Sequence, residues 1–254
     1  MRPPINTIFI GKTHHHIARV ESTNAYVRSF LELSETAVPE GLLVTADEQT
    51  AGKGQGGKKW MAEPGCNLMV SILLKPVFLE PRHVFYLNKA VALAIHDTLA
   101  TETYGISIKW PNDMYFENKK LAGVLIENVL GGNRILQSIV GIGINVNQKL
   151  FDENLPNPVS LIQITGRETD LSQLLATLCT QIEKYYLQLR SHQFTTIDAL
   201  YHHYLLKHQK ENQFIINNEL ITATINGVSA GGKLILSTAN KKMELAVGEV
   251  EWVL

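Results

Sequence analysis

The chain has 254 residues, enough for one sizeable core or a core with a small appendage. Hydrophobic residues make up 45% of it and charged residues 19%, the balance of an ordinary soluble globular protein. A formal net charge of −1 excludes a global basic field of the kind that advertises nucleic acid, so any affinity for phosphate must be local.

The N-terminal MRPPINTIFIGK lacks the apolar stretch of a signal peptide, and no run approaches the roughly 18 apolar residues of a membrane span. Cys66 and Cys179 stand far apart, which argues against a disulfide scaffold or a zinc site and makes a reducing cytoplasm the expected compartment. His14, His15 and His16 point different ways in an extended segment, with no second cluster to complete a metal site, and are read as surface.

Ser22, Thr23 and Asn24 precede AYVRSFLEL, where Val27, Phe30 and Leu31 fall at near-helical spacing; a hydroxyl cap on a short helix is expected. The runs 41–48 and 67–75 are short, apolar and bounded by Gly and Pro, and read as buried strands around a glycine-rich loop. Leu87, Val91, Ile95 and Leu99 recur every fourth residue and predict a helix ending near Gly105. Strands follow at 106–110, 121–130 and 134–146, the last two joined by a hairpin turn at Gly131-Gly132. The segment FDENLPNPVSL reads as an irregular crossing. Asp170 with Gln173 resembles a capping box before a helix whose Leu174, Leu178, Ile182, Tyr185 and Leu189 keep one apolar face, and a further helix is expected from about 195 to 207. After Glu211 the pattern turns to short strands with turns at Asn217-Asn218 and Gly231-Gly232, a tail too short to bury much core alone. The expected division is 1–210 and 211–254.

The loop AGKGQGGKKW matches two nucleotide motifs by spacing alone. Gly52, Gly54 and Gly57 fit GxGxxG, but a strand follows where a dinucleotide fold needs a helix. Gly52, Gly57 and Lys58 fit GxxxxGK, but Lys59 stands where a P-loop needs Ser or Thr. What remains is a loop with Lys53, Lys58, Lys59 and many free amides, suited to closing over a phosphate or simply to lying in solvent.

ESTN (21–24), DEQTAGKGQGGKKW (47–60), KWPND with NKKLAGVLIEN (109–128) and GIGINVN (141–147) together resemble the biotin protein ligases, and KWPND followed by KKLAGVLIE is the most specific part of the match. The likeness runs from about Val20 to Asn147. It implies an α+β fold: a mixed, mostly antiparallel sheet flanked by helices, akin to the class II synthetases, with a small C-terminal SH3-like β-barrel. It also implies the monofunctional type, without a preceding winged-helix domain.

The resemblance implies that biotin is bound by Ser22, Thr23, Asn24, Gln49, Lys53, Gly54, Gln55, Trp60, Lys120 and Gly123. Lys53, Gln55, Lys109, Asn112 and Asn145 are implied for ATP and the adenylate, with Lys120, Lys109 and Asp113 as the catalytic set and no protein metal cage. ATP and Mg2+ are the expected cofactors, and a biotin carboxyl carrier domain is the expected partner. No nucleic acid or membrane partner is expected, and the oligomeric state, monomer or weak homodimer, stays open. Gln55 stands where many such enzymes carry arginine, a loss of fixed charge in the loop. Bland readings remain beside these: Ser22 and Thr23 as a helix cap, Trp60 as a core residue, Gly123 and Gly143 as tight strand packing, Asn145 as a turn residue. A lipoate or octanoate transferase of the same fold is the nearest rival, although its RRxxGGG-type loop is missing; a biotin sensor without catalysis should have lost Lys109 and Lys120, and both are present.

Overall fold

Leu43 to Ala46 pair with Ile72 to Met69, and this mostly apolar antiparallel ladder lies inside a seven-stranded sheet. The computed structural model describes residues 5–253, so the first four residues of the N-terminal segment discussed above lie outside it. In chain order the sheet comprises β1 (His14–Val20), β2 (Leu43–Gln49), β3 (Leu68–Leu74), β4 (Ile106–Lys109), β5 (Asp113–Phe116), β6 (Lys119–Gly131) and β7 (Arg134–Ile144). Spatial order is β1-β2-β3-β7-β6-β5-β4; β1 runs parallel to β2 and every other pair is antiparallel.

Alternation along the strands divides the core in two. Val44 and Leu73 face α1 (Thr23–Leu33) with Val27 and Ile139, whereas Leu43, Val70, Ile72 and Val140 face the opposite layer. That layer holds α2 (Phe85–Leu99), the short α3 (Leu161–Thr165), α4 (Leu171–Arg190) and α5 (Phe194–Tyr204). The fourfold repeat Leu87, Val91, Ile95, Leu99 is fully buried on α2, which stops at Leu99, six residues before Gly105. Asp170 caps α4 by accepting from the amides of Ser172 and Gln173.

Two expectations are corrected. Ser22 stands at the N-cap of α1 but its hydroxyl makes no capping bond, because the helix start is turned into the sheet, where the Thr23 amide meets Gln49 instead. The three histidines open the strand β1: His16 is exposed, as expected, but His14 and His15 are half-buried, His14 and His16 standing against the Thr45 hydroxyl and His15 edge-on to Phe30.

The C-terminal residues form β8 (Glu211–Ile216), β9 (Glu219–Val228), β10 (Leu234–Ser237), β11 (Lys242–Leu245) and β12 (Glu251–Trp252), an antiparallel sheet of order β11-β10-β9-β8-β12. Asn217 and Asn218 make its first turn with φ of 52° and 64°, a left-handed pair that asparagine tolerates. Phe214, Ile225, Leu234 and Leu236 belong to the same continuous core as α2 and α4. Three polar ties cross this junction. The Trp110 indole donates to Gly232 O at 2.9 Å. Lys89, fully buried on α2, pairs with Asp198 of α5 at 2.5 Å and reaches Val228 O of β9. His202 accepts the Val228 amide on Nε2 and faces Asp198 with Nδ1, which fixes its proton on Nδ1.

Candidate active site

Three glycines clear one face of the sheet. Gly123 of β6 pairs with Gly143 of β7, and Gly141 follows on the same face. A Cβ on Gly143 would run into the Trp60 ring, and one on Gly141 would stand 2.5 Å from the Asn24 amide oxygen. The absence of side chains here is therefore a requirement of close approach. Trp60 is the last residue of the glycine-rich loop, anchored by its amide to Gly52 O at 3.0 Å. The loop is a small hairpin closed by a Lys53–Lys59 bridge, with an exposed tip at 55–58 where Gly56 and Gly57 take φ of 63° and 78°. The Trp60 ring packs against the glycine floor, with Nε1 buried and without a partner among the described residues. Gly143→Ala should displace the ring and raise the KM for the ligand by about 10-fold, about 1.4 kcal/mol; steady-state kinetics of the variant check this, and an unchanged KM would show that the ring does not shape the site.

Lys120, at the start of β6, sits beside this floor. Its Nζ lies 2.8 Å from Asp113 Oδ1 and 5.8 Å from the centre of the Trp60 ring, and a Cβ at Gly123 would stand 3.2 Å from both Lys120 Nζ and Asp113 Oδ1. The backbone of Lys120 is held by the irregular crossing, its amide donating to Asn157 O and its carbonyl accepting from Val159 N. Lys109 pairs with Asp113 across β4 and β5. Its ammonium lies over Tyr115 and Trp252, at 4.8 and 5.6 Å, and 3.3 Å from the Tyr115 hydroxyl. Burial pushes the Lys109 ammonium down from its ordinary range; Asp113 opposes this, and Lys120 and Lys58 push it further down. Burial, and then the Asp113 charge, raises the Tyr115 phenol to about 12. Lys120 and Lys109 thus share the Asp113 carboxylate, and Lys58 adds to the positive potential at Lys109, a place where an added anion relieves mutual repulsion.

Thr23 and Gln49 make the polar end. Gln49 Oε1 accepts the Thr23 amide at 2.8 Å and lies 3.1 Å from its hydroxyl. Behind them Ser71 Oγ is 2.7 Å from Thr23 Oγ1 and 2.6 Å from Asn24 Oδ1, while Asn24 Nδ2 donates to Glu127 Oε2 at 2.8 Å and to Leu125 O at 3.3 Å. Arg28 completes the row by binding the other oxygen of Glu127. Ser71 and Glu127 went unnoticed in the sequence, although a lone serine inside NLMVSILLK was a signal.

A cavity of about 1620 Å³ opens over this region, lined by Gln49, Gly52 to Gly54, Lys58, Lys59, Trp60 and, opposite, Gln148 to Leu150. Gln49 connects it to Thr23, and Trp60 to Lys120. Of the expected residues Gln49, Lys53, Gly54 and Trp60 line it, whereas Thr23, Lys109, Asp113, Lys120 and Gly123 lie off it. Gln55 and Asn112 line a separate cleft of about 300 Å³ beside Gly231, Gly232 and Lys233, and the Asn112 amide is already given to Val124 O. Asn145 is buried, its amide on Val159 O and Lys120 O, so it backs the lysine rather than opening to the cavity. Asn24 likewise turns its amide into the protein. Ser22 is buried at the start of α1.

Residues 16–145 match the biotin/lipoate A/B protein ligase family. The bifunctional ligase/repressor BirA of Bacillus spizizenii is 32% identical over 87% of this chain and 69% of its own length. The biotin–[acetyl-CoA-carboxylase] ligase of Paracoccus denitrificans is 30% identical over 71% of this chain and 76% of its own. A biotin protein ligase from Aquifex aeolicus, solved in complex with biotin and ATP, superposes with a TM-score of 0.79 at 29% identity, covering 95% of this chain and all of that one. The chain spans between 49% and 69% of the length of the bifunctional ligase/repressors reported among its relatives. Matched over half its length by the family pattern and over most of it by a relative at 32% identity, the chain belongs to the biotin/lipoate A/B protein ligase family.

Proposed function

We propose that the chain is an ATP-dependent biotin ligase: it activates biotin as biotinyl-5'-AMP and passes the biotinyl group to a lysine of a biotin carboxyl carrier domain. The observation that supports this best is Lys120, whose ammonium stands between Asp113, the glycine floor and the Trp60 ring. A carboxylate attacks a negatively charged phosphorus poorly, so cations must meet the charge that develops as pyrophosphate leaves. In this reading Lys120 holds the acid and then the α-phosphate. Lys109 and Lys58 add positive potential on the same side.

The apolar ring and tail of biotin suit the Trp60 face, and the buried, unpartnered Trp60 N–H supplies a donor that a ligand would satisfy. Thr23 and Gln49 offer polar atoms for the ureido head, which a lipoyl or octanoyl group does not have. Among the described residues no group of three His, Cys, Asp or Glu side chains is arranged to cage a metal. That donor set fits a Mg2+ that arrives on the triphosphate and takes at most the Asp113 carboxylate from the protein; when bound it supplies charge neutralisation to the phosphates. The mixed anhydride is open to water, and in this reading the hairpin bearing Lys53, Lys58 and Lys59 covers it. No enzyme nucleophile is required. The carrier amine attacks the acyl carbon and AMP leaves.

ATP–pyrophosphate exchange, run separately with biotin, lipoate and octanoate, tests this reading. Exchange is expected with biotin alone. Exchange with lipoate or octanoate and not with biotin would replace it by the lipoyl reading, and biotin binding without exchange would leave a sensor.

A further inference from the structure

Behind the polar end two hydroxyl protons, those of Ser71 and Thr23, serve three oxygen contacts, and the two shortest contacts take them. Asn24 Nδ2 faces Glu127 Oε2 and Leu125 O, and neither of these can donate, so the Asn24 amide cannot be turned the other way. Arg28 holds the far oxygen of Glu127 and keeps that carboxylate in place. Asn24 Oδ1 therefore faces Ser71, and the single Ser71 proton must go to it across 2.6 Å. The 2.7 Å contact between Ser71 and Thr23 then takes the Thr23 proton in preference to the longer 3.1 Å contact with Gln49 Oε1, so Thr23 donates its hydroxyl inward. With that proton committed, the remaining lone pair of Thr23 Oγ1 can only accept. Gln49 is fixed in the same way: its Oε1 takes the Thr23 amide at 2.8 Å, so Nε2 is turned outward beside Gly52, where a Cβ would crowd it at 3.2 Å. Ser71 is fully buried and Thr23 and Asn24 are 4% exposed, so water does not scramble the row.

We propose that Ser71 and Glu127 are positioning residues that set the hydrogen-bonding polarity of the pocket. They leave Thr23 Oγ1 as an acceptor beside Gln49 Nε2 as a donor, a pair matched to a ligand that carries an N–H next to a carbonyl, as a cyclic urea does. This rests on the biotin reading of the site and deepens it: specificity for the urea resides in two side chains that do not touch the ligand. Without Ser71 the Thr23 hydroxyl is free to swing toward Gln49 Oε1, 3.1 Å away, and its acceptor character is lost.

The test compares biotin with its two cyclic carbamate analogues, in which one or the other ring N–H is replaced by oxygen, by equilibrium binding to the full chain. Wild type is expected to bind biotin about 10- to 100-fold more tightly than the analogue lacking the N–H opposite Thr23, since a lone pair would then face a lone pair. In Ser71→Ala the preference should fall below about 3-fold, and the loss should appear in the KM for biotin and not in that for ATP. Both ligands are measured on the same protein, so a partly unfolded fraction cancels from the ratio. Glu127→Gln, whose amide can present either face to Asn24, should reduce the preference as well, and it carries the measurement if Ser71→Ala does not fold. A preference unchanged in both variants overturns the inference and leaves the biotin reading standing. If wild type binds neither biotin nor the carbamates, the reading and the inference fall together.

Discussion

Lys120→Ala is expected to slow adenylate formation by roughly 30- to 1,000-fold, the 2 to 4 kcal/mol carried by a charged group that meets the transition state. The Lys120 ammonium lies 2.8 Å from Asp113 and within reach of the Trp60 face, at the edge of the glycine floor where the proposed reaction would bring acid and phosphate together. Its backbone is held independently by Asn157 and Val159, so the strand should survive the loss of the side chain. Biotin-dependent ATP–pyrophosphate exchange gives the rate, and the thermal unfolding midpoint should move little. An exchange rate near that of wild type would remove Lys120 from the chemistry.

Asp198→Ala is expected to cost the fold about 3 to 5 kcal/mol, because it leaves the buried Lys89 ammonium without its partner. Burial already pushes Lys89 down from its ordinary range, with Asp198 acting against it, so removing the carboxylate leaves only the penalty. The unfolding midpoint should drop by roughly 6 to 20 °C, at 2 to 4 °C per kcal/mol for a chain of this size. Lys89→Met combined with Asp198→Ala should recover most of the loss, since no buried charge remains. A single variant as stable as wild type would mean that water or Val228 O already satisfies the ammonium.

The same carboxylate makes the junction sensitive to acid. Desolvation works to raise Asp198, but hydrogen bonds from His202 and Lys89 outweigh it and hold the group at about 2, against 3.8 when free. Asp97, between α2 and α4, is held at about 2 against its own burial by His96, Tyr185 and Lys184. A depressed carboxylate contributes stability that is complete above the unfolded value and disappears as pH falls through the folded one. The unfolding midpoint should therefore decline between about pH 4 and pH 2, and less steeply in Asp97→Asn or Asp198→Asn than in wild type.

Periodicity identified the elements that are long or wholly buried. β2, β3, α2, the β6–β7 hairpin and α4 all bury runs of aliphatic residues, and their signals were strong. β1 was missed because HHHIARV carries few apolar residues; it is an edge strand held by parallel pairing to β2 and by Thr45. β5 and α3 span four and five residues, too few to show a period. At the site, KWPND and KKLAGVLIE pointed directly to Lys109, Asp113 and Lys120, which the fold brings together on adjoining strands. Local sequence carries no record of what lies across a sheet, so the aromatic surround of Lys109 was out of reach: Trp252 comes from the far end of the chain. The roles of Asn112 and Asn145 were also hidden, since an asparagine in a motif reads the same whether its amide faces a ligand or a backbone carbonyl.

The bond from Trp110 to Gly232 bears on where this chain can be cut. Residue 210 ends the helical part of the sequence and looks like a natural place to trim. A chain stopped there would keep every strand of the seven-stranded sheet and all the site residues on them, yet the Trp110 indole N–H, inside KWPND and one residue from Lys109, would lose its acceptor. Phe85 would lose the glycine turn that covers its ring, and Lys89 the carbonyl of Val228. The tail thus backs the very turn that carries Lys109 and Asp113, and a shortened chain would be expected to fail first at the proposed nucleotide chemistry, with the proposed biotin pocket around Thr23 and Gln49 the last part to notice.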